Sequence, residues 1–122
     1  MKLLLALALL ALPMAAQADH LDVIQMTLKD GCTPAQLTML VGEFNETWGN
    51  EHAYHAEIAV PLQSQDLNSV FWLGHSANAT AFGAAWDAWR DAQADSNSTA
   101  AKLQARFDKC RTNDARRSYD LY

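Results

Sequence analysis

"VFWLGHSANATAFGAAWDAW", Val70 to Trp89, joins a strand to a helix, and its reading decides the fold. The first part is apolar on both faces of an extended chain. Phe71 and Leu73 fall on one side, Val70 and Trp72 on the other. A strand of this kind is covered on both faces. Ser76 or Asn78 then offers a helix N-cap. Phe82, Ala85, Trp86 and Trp89 follow at helical spacing. Helices cover one face of the strand, so the other needs a second cover, and Val70 and Trp72 are expected on that side.

Two strands and a helix precede this run. "HLDVIQMTLKDG" alternates, with Asp22, Ile24, Met26 and Leu28 on one face and Val23, Gln25 and Thr27 on the other. "TPAQLTMLVGEFNETW" opens with Thr33 as N-cap, Pro34 at N1 and Gln36 at N3, a capping box. Leu37, Leu40, Val41, Phe44 and Trp48 form its apolar stripe, and Met26 and Met39 both read as core. "YHAEIAVPL" alternates again, with Tyr54, Ala56, Ile58 and Val60 opposite His55, Glu57 and Ala59. Downstream, "DSNSTAAKLQARFDKC" restarts a helix after a polar break. Ala100, Leu103, Phe107 and Cys110 make its stripe, and "RRSYDLY" is a short final strand.

The order is β-α-β-β-α-β with the second helix broken in two. It predicts an α+β ferredoxin-like sandwich, an antiparallel sheet with helices on one face. Cys32 precedes the first helix and Cys110 ends the second, so the topology brings both to one end of the fold. Their pairing as a disulfide fits an exported chain.

Export is expected from the start of the chain. Met1 to Ala18 has one positive charge, Lys2, an apolar run from Leu3 to Leu12, and Ala16-Gln17-Ala18 as a cleavage site. The run is shorter than the roughly 20 residues that span a bilayer. The expected mature protein, Asp19 to Tyr122, is then a single periplasmic or secreted domain with no membrane insertion after cleavage. The net charge of −5 argues against nucleic-acid binding. Charge is uneven: Asp19 to Ala101 holds 2 basic and 11 acidic residues, and Lys102 to Tyr122 holds 6 and 3. The basic end reads as a solvated helix face and tail, with a patch for an anionic partner as the alternative.

With its element order, its broken second helix and the run from Val70 to Trp89, the chain resembles the dimeric α/β-barrel superfamily. That group contains antibiotic-biosynthesis-type monooxygenases and stress-responsive domains. The resemblance covers Asp19 to Tyr122. It implies a homodimer in which two sheets pack face to face, which would cover the second face of the third strand. The haem-degrading members use an Asn on the first strand, a Trp near the end of the third and a His on the second helix. Here Gln25 or Thr27 holds the first position, Trp72 matches the second approximately, and Ala79 to Cys110 has no His. The resemblance therefore does not extend to haem degradation, and no cofactor is expected.

The densest chemistry lies in "NEHAYHAE", Asn50 to Glu57. His52 and His55 on one helix face would chelate a metal, but a loop followed by a strand separates them. His55 and Glu57 share a strand face, where the carboxylate would orient a general base. If Trp72 and Gln25 face the same way, the four make one wall of a cavity on the open sheet face. His75, at the strand–helix junction, would line it too. The leading expectation is a dimer that binds a small apolar or aromatic ligand there through Gln25, Trp72 and His75. A cofactor-independent monooxygenase using His55, Glu57 and Trp72, and a periplasmic metal binder using His52 and His55, are the alternatives.

Overall fold

The computed structural model describes residues 18–122. Of the expected leader, Met1 to Gln17 lies outside the described residues. The elements are β1 (Asp19–Leu28), α1 (Pro34–Phe44), β2 (His55–Ala59), β3 (Ser69–Ser76), α2 (Ala79–Ala92), α3 (Thr99–Cys110) and β4 (Arg111–Leu121). The sheet order is β2-β3-β1-β4, and every pairing is antiparallel. This is the expected ferredoxin-like α+β architecture. Among the described residues, no helix is long and apolar enough to cross a membrane.

Local chemistry sets the helix starts. Thr33 and Gln36 form both bonds of the capping box, and Pro34 occupies the first turn. Asn78, not Ser76, caps α2, and Ser98 caps α3. The stripes of α1 and α3 are buried as their spacing predicts: Leu37, Leu40, Val41 and Phe44 on one, Ala100, Leu103 and Phe107 on the other. They pack on the sheet face that carries Ile24, Met26, Ala56 and Trp72. Met39 is a correction, for it is 74% exposed on the outer side of α1. The Cys32–Cys110 disulfide is formed, with Cα atoms 5.1 Å apart.

The face assignment of β3 is also corrected. Val70 and Trp72 are buried under the helices, and Phe71 and Leu73 are half-buried on the open face beside Leu21 and Val23. Both faces of β3 are apolar, so its sequence left the direction undecided. Pairing decides it, because Trp72 lies opposite Ile24 and Ile58, whose side chains enter the core.

The final strand is longer than expected and begins where α3 ends. Its register to β1 shifts between Gln25 and Met26, leaving Asp114 as the extra residue. Asn113 pairs with Met26 and Arg116 with Ile24. In a regular strand, residues three apart face opposite ways. The bulge puts both on the helix-covered face.

Candidate functional site

Asp22 is the polar centre of the core. It sits on the inner face of β1 between His20 and Ile24 and is 0% exposed. A carboxylate there requires partners. Arg116 supplies a bidentate pair, Nε donating to Oδ1 at 3.0 Å and Nη2 to Oδ2 at 2.9 Å. The Tyr54 hydroxyl donates to Oδ2 at 3.3 Å and accepts from Trp72 Nε1 at 2.7 Å. A chain of hydrogen bonds thus runs Arg116–Asp22–Tyr54–Trp72 across three strands and the turn before β2. Burial, reinforced by the Asp22 charge, holds the Tyr54 hydroxyl well above its ordinary pKa. Tyr54 is a neutral hydrogen-bonding group at physiological pH.

Glycine makes room for that chain. Asp22, Gly74 and Ala56 form one cross-strand row, and the Tyr54 ring lies over Gly74. Tyr54 is aimed by the segment after α1. There the helix widens into one π-turn over Asn45–Gly49, followed by a 3-10 turn over Asn50–His52. Asn45 clamps this turn to β2 by both amide groups, donating to the Ala56 carbonyl at 2.8 Å and accepting from its N–H at 2.9 Å. Ala53 takes a left-handed conformation that reverses the chain into Tyr54. Inserted π-turns recur at functional sites; this one directs Trp48 inward.

Arg116, Tyr54 and Trp72 of that chain form part of the wall of a cavity of about 190 Å³ between sheet and helices, with Asp22 behind them. All four tryptophans of the chain, Trp48, Trp72, Trp86 and Trp89, line it. Phe44 lies edge-on to Trp72 and Trp89 at 5.0 and 5.5 Å between ring centroids. Trp86 is 37% exposed and carries the Arg116 guanidinium 4.2 Å from its ring centre. Asn113 and Arg111 from β4 and Gln104 from α3 add polar groups. Trp89 Nε1 donates to Gln104 Oε1 at 3.0 Å.

The residues singled out from sequence are distributed differently. Trp72 lines this inner cavity, whereas His55, Glu57 and Gln25 lie on the open face. The expected wall of His55, Glu57, Trp72 and Gln25 is not assembled, because the β2–β3 register sets Trp72 opposite Ile58 and not Glu57. His75 shares the open face with His55, its partner in register, and its Nε2 lies 3.3 Å from Glu57 Oε2. Both side chains of that pair are well exposed, which makes it a weak one. Gln25 donates to Ser69 Oγ at 3.2 Å. His52 lies flat on Trp48, ring centroids 4.0 Å apart, with Nδ1 2.9 Å from the Trp48 carbonyl. His52 and His55 therefore have different surroundings. Among the described residues no three His, Cys, Asp or Glu side chains are grouped to hold a metal ion.

Six polar or charged residues of the site escaped the sequence reading: Asp22, Tyr54, Gln104, Arg111, Asn113 and Arg116. Asp22 had a signal, since a carboxylate in register with Ile24 and Met26 on an apolar face needs a buried partner. The arginines had none, because a bulge sets their direction. The reading of the basic end is corrected in part: Lys102, Arg106, Lys109 and Arg117 are exposed, but Arg111 is buried and Arg116 engages Asp22.

No family model matches the chain, and no curated protein matches it. Two solved structures are similar to it. One is SnoaB, a cofactor-independent oxygenase from Streptomyces nogalater, with a TM-score of 0.55 and 9% identity over 86% of this chain and 94% of that one. The other is a dimeric protein of unknown function and ferredoxin-like fold from Bacteroides fragilis, with a TM-score of 0.49 and 8% identity over 88% of this chain and 100% of that one. At such identities a likeness speaks of fold alone. The chain has the ferredoxin-like fold expected from its element order, shared with a cofactor-independent oxygenase.

Proposed function

We propose that this protein binds a small planar aromatic molecule in the cavity between its sheet and its helices. The observation that carries the reading is the convergence of all four tryptophans on that one cavity. An apolar cavity of about 150 Å³ accommodates benzene, so a volume of about 190 Å³ suits one ring or two fused rings. Aromatic walls with a few fixed polar groups are the usual make-up of small-molecule sites. The ligand site expected on the open sheet face is thereby moved to the opposite side of the sheet.

The test is calorimetric titration of the purified protein with a panel of one- and two-ring aromatics, paired with Trp86→Ala and Trp89→Ala. Saturable binding to the wild type, weakened at least about tenfold in either variant, is expected. Absence of saturable binding across the panel would sink the reading.

A second reading is cofactor-independent oxygenation of the bound aromatic. It is favoured by Asp22, a fully buried carboxylate reached from the cavity through the Tyr54 hydroxyl. Such a pair is placed to take a proton from an acidic substrate hydroxyl. The similarity to SnoaB accords with it at the level of fold. Oxygen consumption with a bound hydroxyaromatic and no added cofactor, abolished by Asp22→Asn, is its signature.

The open face is assigned to a second copy of the chain. Leu21, Val23, Phe71 and Leu73 make it apolar and half-buried in one protomer, and an isologous contact would cover both copies at once. Export is supported by the leader-like Met1 to Ala18 and by the Cys32–Cys110 bridge.

A further inference from the structure

The cavity lining includes two cations, Arg111 and Arg116, and no carboxylate. Their carboxylate partners, Asp22 for Arg116 and Asp108 for Arg111, lie outside that lining, so the charge the cavity itself presents is cationic. The two arginines differ. Arg116 is committed, since it grips both oxygens of Asp22 and covers Trp86.

Arg111 is not. Its side chain is only 9% exposed. Nη1 donates to Asp108 Oδ1 at 3.2 Å, and the guanidinium lies 5.4 Å from the Phe107 ring centre. Its Nε is buried and has no hydrogen-bond partner among the described residues. A charged donor shut away from water is costly to leave unmatched. Burial, with Asp108 opposing it and Arg116 adding to it, holds the guanidinium below its ordinary pKa. An anion in the cavity would offset the burial of the Arg111 charge and relieve the repulsion between the two arginines. Aromatic surface adjoins it, with Phe107 beneath the guanidinium and Trp86 beneath its neighbour.

We propose that the cavity selects an aromatic carboxylate of one or two rings, whose carboxylate pairs with the Arg111 guanidinium while the ring lies within the tryptophan wall. The inference rests on reading the cavity as a binding site, and it names the class of ligand. Charge-assisted hydrogen bonds to a desolvated guanidinium discriminate a carboxylate from an uncharged group of the same shape.

The experiment is calorimetry with 2-naphthoate and 2-naphthamide, matched in shape and differing in charge. The carboxylate is expected to bind about tenfold tighter or better. Arg111→Gln is expected to close that roughly tenfold gap, so that the two compounds bind the variant alike. Thermal melting establishes that the variant is folded. If it is not, Arg111→Lys serves instead, with the preference falling at least about threefold as the planar fork of guanidinium donors is lost. Equal affinity of the wild type for both compounds overturns the charge selection and leaves the cavity reading standing. Failure of both to bind removes the cavity reading and the inference with it. A preference that survives unchanged in the folded variant assigns it to another group and overturns the role of Arg111.

Discussion

The Tyr54 hydroxyl occupies the space that a side chain at Gly74 would need: an ideal β-carbon there would lie 1.7 Å from the hydroxyl oxygen. Gly74 lies in β3 opposite Asp22, and its missing side chain lets Tyr54 reach both Asp22 and Trp72. Gly74→Ala forces the tyrosine ring aside. Overpacking of a well-filled core costs about 1–3 kcal/mol, and this substitution is expected at the upper end, because the clash is with a rigid ring whose hydrogen bonds break as it moves. Urea denaturation measures it. A loss under about 0.5 kcal/mol would mean that Tyr54 has another place to go.

Asp22→Ala leaves Arg116 without its carboxylate and Tyr54 without its acceptor. Breaking one partner of a fully buried ion pair costs about 3–5 kcal/mol. Arg116 is 37% exposed and turns partly to water, so about 2–4 kcal/mol is expected. A double-mutant cycle with Arg116→Ala should return a coupling of at least about 1 kcal/mol. Additive effects would show that the pair contributes nothing of its own.

Tyr54 also makes stability depend on pH in the alkaline range. Its folded pKa is raised above the ordinary value of 10.0 by burial first and by Asp22 second. Above that ordinary value, the unfolded chain releases a proton that the folded protein keeps. The stabilisation is complete at neutral pH and fades as pH rises, by about 1.4 kcal/mol per unit. Tyr54→Phe removes this dependence. The variant is less stable at pH 7, because Trp72 Nε1 and Asp22 lose a partner, and its deficit shrinks above pH 10. Parallel curves for both proteins would contradict the assignment.

The Cys32–Cys110 bridge closes a separation of 78 residues. Chain entropy assigns such a loop about 4 kcal/mol. The Cys32→Ser/Cys110→Ser protein is expected to lose a stability of that order, read as a lowered denaturant midpoint with a steeper slope, because the uncrosslinked denatured chain exposes more surface. Loss of under about 1 kcal/mol would imply strain in the native bridge.

A charge on the open sheet face should abolish the proposed dimer. Phe71 is half-buried there and turns away from the cavity. Phe71→Arg is expected to yield a monomer by light scattering, with aromatic binding retained, because the described cavity lies within one chain. A dimeric variant, or a wild type that is already monomeric, would reject the open face as the interface.

Much of the architecture is local chemistry and was legible in the sequence. Thr33, Pro34 and Gln36 specify a helix start by hydrogen bonds that span three residues, with no distant help. The stripes Leu37–Phe44 and Ala100–Phe107 specify a buried face by period alone, and the element order then brings Cys32 to Cys110. The same alternation sorted β1 and β2 into their faces. What it could not do was choose a side for β3, where Val70 and Trp72 compete with Phe71 and Leu73 at equal hydrophobicity. Period two defines which residues share a face; only pairing with other strands says which face turns inward. Tertiary structure therefore parted Trp72 from His55 and Glu57 and joined it to Tyr54 and Asp22. The bulge at Asp114 did the rest: one unpaired residue turned Asn113 and Arg116 to the same side, a choice made by a strand pairing some ninety residues distant and recorded in no local pattern.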